Sequence, residues 1–165
     1  LVAALALPAA AAAQYRLPTI TTFATADSLH DAANLMAQTT HRWRDAASLH
    51  RQSAHLRAAN DSAGYRCLAL AAQLSFASKD LSSAERDMTA AAEQALTRGD
   101  VEKAAHAYAD ASWVAQDRKN RGQVWTLGRR AEVLASSPLL SPTQRMAIRQ
   151  RFVRRDRNLA GQFTR

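Results

Sequence analysis

The chain has a single cysteine, five glycines, four prolines and few aromatic residues. Cys67 alone cannot form an internal disulfide, and neither CxxC nor CxxCH occurs, which excludes a disulfide framework and c-type haem attachment. Cys67 lies in an apolar helical run and is expected to be buried and inert. Runs of β-branched residues are missing, so sheet is not expected. With 6% aromatics and alanine supplying much of the apolar content, the core must come from close backbone approach plus a few large side chains. GxSxG, P-loop and GxGxxG patterns are absent, as are HExxH and Glu-x-x-His. The histidines, His30, His41, His50, His55 and His106, show no ligand spacing and are read as solvated or capping groups. The carboxylates Glu85 and Asp87 suit the dipole of an exposed first helical turn rather than acid–base work. No catalytic, cofactor or metal-ligating residue is assigned, and no small-molecule substrate is evident.

What is present is helix-forming: Ala, Leu, Arg, Gln and Glu dominate the composition. Residues 1–13, LVAALALPAAAAA, are small, apolar and uncharged, and Ala11-x-Ala13 before Gln14 fits a signal-peptidase site. They are read as the remnant of a secretory signal, too short to span a bilayer, which needs ~20 apolar residues. A periplasmic or secreted location follows as an expectation. Residues 14–39 are read as an extended segment and a short helix capped by Asp27; 40–159 form the helical domain and 160–165 a tail.

Within the helical domain, start signals fall about every twenty residues: Thr40, Asp61, Asp80 or Ser82, Asp100, Asn120 and Ser141. Each side chain can accept from the free N–H groups of a first turn. Ser82-x-x-Glu85 reads as a capping box, Pro142 suits a first helical position, and Gly99 a left-handed stop. Six helices are predicted, at about 41–58, 62–78, 82–97, 101–117, 121–136 and 142–158. Short connections predict antiparallel neighbours. Trp43 is expected in the core, and the helix over Tyr65–Phe76 is expected to be the most buried.

The stretch Gly99-x-Val101-x-x-Ala104-x-x-x-Tyr108-x-x-Ala111, preceded by Met88-x-x-Ala91-Ala92, resembles a tetratricopeptide hairpin, with the first-helix spacing recurring at Trp43-x-x-Ala46-Ala47-x-x-His50, where His50 would replace the aromatic, and at Val124-x-x-Leu127-Gly128. The resemblance implies an all-α fold of about three antiparallel hairpins in a right-handed superhelix, packed through Met88, Ala91, Ala92, Gly99, Ala104, Tyr108, Ala111, Leu127 and Gly128. It also implies a non-catalytic binding scaffold. The competing architecture is an Ala-rich helical bundle without repeats.

Charge is unevenly distributed. The first 117 residues hold 10 basic and 12 acidic groups, and the remainder holds 12 basic and 2 acidic, so the net +8 belongs to the C-terminal end. The dense part is Arg129, Arg130, Arg145, Arg149, Arg151, Arg154, Arg155 and Arg157. MAIRQRFVRRDRNLAGQF reads as a basic amphipathic helix. It can cap the domain, bind an acidic protein, or lie on anionic lipid or an envelope polyanion. The expected partner is an acidic protein, with a membrane surface as the alternative; export argues against nucleic acid.

Overall fold

A computed structural model describes residues 25–151. Among them are no strands. The helices are α1 (Ala26–Thr39), α2 (Trp43–His55), α3 (Ser62–Ala77), α4 (Leu81–Thr97), α5 (Val101–Asp117), α6 (Arg121–Ala135) and α7 (142–151). Each of α1 to α6 packs against the next, as the short connections predict. The all-α class and the arrangement in antiparallel hairpins follow.

The regular cadence has a local cause. Lys79, Gly99 and Lys119 each adopt left-handed backbone, with φ of 63°, 72° and 59°. Each is followed by a residue whose N–H donates back into the helix just ended: Asp80 to Ser75 O at 2.8 Å, Asp100 to Ala95 O at 2.9 Å and Asn120 to Ala115 O at 2.9 Å. The same residue then caps the next helix through its side chain, accepting from the N–H of Ser83, Lys103 and Gln123. One three-residue joint, repeated three times, closes one helix and opens another.

Only the middle joint uses glycine, so the lysines carry the steric cost of the left-handed region. Lys119→Gly should therefore stabilise the fold by about 0.5–1 kcal/mol, and Gly99→Ala should destabilise it by about 1 kcal/mol. The second change meets no clash, since nothing lies within 4 Å of the added Cβ. Urea denaturation of the two variants checks both signs.

Contacts between alternate helices stack the array in two layers. His30 of α1 meets Cys67 of α3, and Tyr65 of α3 packs against the cluster built on α5. Asp110 of α5 pairs with Arg151 of α7 at 2.6 Å. In the other layer Arg51 of α2 pairs with Asp87 of α4, and Glu93 of α4 lies 3.8 Å from Arg130 of α6. α5, not α3, is the most buried helix: nine of its residues are buried against five of α3, whose Phe76 is 41% exposed.

Most of the expected packing residues are buried here, but Gly99 is exposed and serves the joint between α4 and α5 instead of a packing contact. Ala92, Tyr108, Ala111, Ala115, Leu127 and Ala131 form one buried cluster with Met88 against it. Ala91 and Ala104 are fully buried and Gly128 is buried. A second cluster joins Ala105, Ala135, Leu140 and Ile148, and fastens α7 to α5 and α6.

Several local expectations are corrected. Trp43 opens α2 at the surface rather than in the core. The cap of α4 is Asp80, one residue before the helix, so Ser82 and Glu85 do not form a box. Thr25, not Asp27, caps α1. α2 starts after Arg42 without a side-chain cap, so Thr40 does not open it. Glu85 and Asp87 are buried, each held by an arginine from another part of the chain.

Candidate functional site

Two regions carry chemistry: the arginine-bearing end and a polar knot between α1, α2 and α3.

At the arginine-bearing end, α6 carries Trp125, Arg129 and Val133 at i, i+4 and i+8, hence on one face. Trp125 is 75% and Val133 60% exposed. Beside this face lies an open groove of about 440 Å³ lined by Leu96, Tyr108, Arg129, Arg130, Val133 and Leu134. Its floor is apolar and its rim cationic. The Arg130 guanidinium sits over the Tyr108 ring, 5.5 Å from the centroid, with Nη1 3.4 Å from the phenol oxygen. Its pairing with Glu93 is loose and solvated. Arg129 reaches Glu132 one turn on at 3.4 Å, with both side chains more than half exposed. Such pairs hold little energy, so both guanidinium groups can exchange partners.

A second groove, of about 450 Å³, is lined by Pro142, Arg145, Met146 and Arg149. Met146 and nearby Leu139 are strongly exposed. Arg151 is committed to Asp110. The structure thus brings Arg129 with Arg130, and Arg145 with Arg149, into two cationic rims. Arg154, Arg155 and Arg157 lie outside the described residues, as do residues 1–13. Among the described residues no helix is long and apolar enough to cross a membrane.

The second region was not legible as a site. His30 of α1, His50 of α2 and Cys67 of α3 each place one potential ligand atom within 4.8 Å of the other two. His50 and Cys67 are each 1% exposed. Cys67 Sγ is 3.4 Å from His30 Nδ1 and 3.4 Å from Ser53 Oγ. The Ser53 hydroxyl donates to the Ala26 carbonyl at 2.5 Å, which leaves its oxygen free to accept the thiol proton. His30 Nε2 is 3.0 Å from Asn34 Nδ2, and the two imidazoles meet edge to face at 5.1 Å. His50 Nδ1 is buried without a hydrogen-bond partner. Burial, aided by the neighbouring His30, lowers the His50 pKa to about 4, so its ring is neutral at neutral pH.

Helix geometry explains the convergence. The three residues lie near the middle of successive helices. Antiparallel reversal keeps mid-helix positions at one level, so residues about twenty apart can meet while no short motif marks them. His50 is buried rather than solvated, in keeping with its alternative reading as the residue that replaces the aromatic of its hairpin. The reading of Cys67 as buried holds.

Comparison with protein-family models, curated proteins and solved structures finds no match.

Proposed function

We propose that this chain is a non-catalytic interaction scaffold of the bacterial cell envelope, with tetratricopeptide-like hairpins, and that it captures an acidic protein partner at its arginine-bearing end. The observation that carries the reading is the groove bounded by Arg129 and Arg130 over an apolar floor of Leu96, Tyr108 and Val133. An acidic segment with apolar anchors fits it: the floor would bury the anchors while the rim supplies charge-assisted hydrogen bonds. The hairpin family rests on the small-residue contacts around Tyr108 and Ala111. The twenty-residue step makes these hairpins longer than the 34 residues usual for that family. The envelope location rests on residues 1–13 alone.

Capture of tagged chain from an envelope extract, at low and at high salt, with mass spectrometry of what stays bound, tests the reading. One or a few acidic proteins should persist in salt. Arg129→Glu combined with Arg149→Glu should weaken their capture at least tenfold with helicity unchanged. Capture that survives both changes would assign the arginines to solvation only. The exposed Met146 beside Arg145 and Arg149 favours a second reading, contact with anionic lipid or a polyanion. Retention on anionic vesicles, lost in salt, would support it.

A further inference from the structure

We propose that His30, His50 and Cys67 form a buried binding site for a single copper(I) ion, held by one thiolate and two imidazoles. The argument rests on this cluster and not on the scaffold reading above.

Ligands at about 2.0–2.3 Å from a common centre stand about 3.5 Å apart. Cys67 Sγ and His30 Nδ1 are 3.4 Å apart, and all three ligand atoms fall within 4.8 Å, so small side-chain rotations close the set. Mid-helix placement on three mutually packed helices holds these side chains more firmly than loops would. An imidazole buried to 1% with Nδ1 unpartnered is costly without a ligand, and a metal ion is one way to satisfy such a ring.

Charge selects the ion. A thiolate and a monovalent cation sum to zero, which a site at this depth tolerates. A divalent ion would leave a net positive charge. The Arg57 guanidinium, which interacts electrostatically with Cys67, is itself cationic and is held by Asp27 and Asp61. Among the described residues no carboxylate belongs to the cluster. Soft thiolate and imidazole donors match copper(I), which a three-ligand set can saturate.

Binding is balanced as the ion replacing the thiol proton, with one proton released per ion. His30 must then ligate through Nδ1 and carry its proton on Nε2. Rotation of the Asn34 amide presents its oxygen to that N–H, an outer partner that fixes the tautomer.

The test uses the full chain, reduced and free of oxygen, with copper(I) supplied from a competing chelator. The expected result is one ion per chain, and X-ray absorption showing one sulfur at thiolate distance and two nitrogens. Because the chain has one cysteine, the thiolate sulfur identifies Cys67. Cys67→Ser and His50→Gln should each lower affinity at least a hundredfold, and Asn34→Leu about tenfold to a hundredfold. The wild-type spectrum stands even where a variant fails to fold. Absence of a 1:1 complex, a first shell without thiolate, or affinity unchanged in Cys67→Ser overturns the site. Tighter binding of zinc(II) than copper(I) under the same competition overturns the choice of ion.

Discussion

Replacing Ala111 by leucine is expected to destabilise the fold by about 2–3 kcal/mol, a fall in melting midpoint of about 5–10 °C. Ala111 is fully buried, in one cluster with Ala92 of α4 and with Leu127 and Ala131 of α6. Alanines there let three helix backbones approach closely. Three added carbons cannot be housed by rotating a neighbour, because most neighbours are themselves alanines with no rotamer to change. The helices must separate instead, and every contact along them weakens. Ala32→Leu on the exposed face of α1 serves as control and should stay within about 0.5 kcal/mol of wild type. Thermal unfolding followed by circular dichroism decides it. An unchanged midpoint for Ala111→Leu would mean that α4, α5 and α6 stand further apart than described.

The second large effect concerns Asp87. Its carboxylate is 3% exposed and accepts from Arg51 Nε at 3.0 and 2.8 Å, while Arg51 Nη2 donates to Ser75 at 2.8 Å. This knot ties α2, α3 and α4 together. Asp87→Ala leaves the partly buried Arg51 guanidinium without its counter-charge and opens a cavity, at an expected cost of about 2–4 kcal/mol. Asp87→Asn keeps shape and one acceptor and should cost less than about 1 kcal/mol.

The reason lies in the balance at the carboxylate. Burial raises the Asp87 pKa above its ordinary 3.8, against the opposing pull of Arg51, Arg86 and Ser75. Desolvation outweighs the ion pair, so the charged form is favoured less in the fold than in the unfolded chain. A raised folded pKa gives a contribution fully present below pH 3.8 and lost as pH rises through the folded value. Wild type should therefore gain stability relative to Asp87→Asn as pH falls from neutral into the carboxylate range. Urea denaturation of wild type and both variants at pH 7 and pH 4 reads this out. A gap that moves the other way would show the ion pair outweighing desolvation.

Glu85 repeats the theme, accepting from Arg118 at 2.7 Å across 33 residues. In the sequence Glu85 and Asp87 stand two apart near a helix start and look like solvated dipole partners. Residues two apart on a helix do not share a face. Their burial depends on what packs over each: Arg51 arrives from α2 over Asp87, and Arg118 from the end of α5 over Glu85. Sequence pattern shows where a helix is amphipathic, not which charged residue of its polar arc a neighbouring helix will cover.

The helix ladder, by contrast, is local and was readable. Asp61, Asp80, Asp100 and Asn120 each cap the helix that follows, and Gly99 takes the left-handed stop assigned to it. The bounds of α5 are as predicted, and those of α3, α4 and α6 differ by one residue. Capping acts within four residues of the chain, so the residues that decide it lie next to each other in the sequence. The charge divide at Arg118 was equally legible, since it is a count along the chain. What the sequence by itself determined, then, is class, cadence and charge, all properties of short windows. Tertiary structure alone decided that α5 rather than α3 is the buried helix, that Arg129 and Arg130 flank an apolar groove, and that His30, His50 and Cys67 meet. Each of these depends on two or more helices stacking at one level, and that level is set by packing across the layers, which no local spacing records.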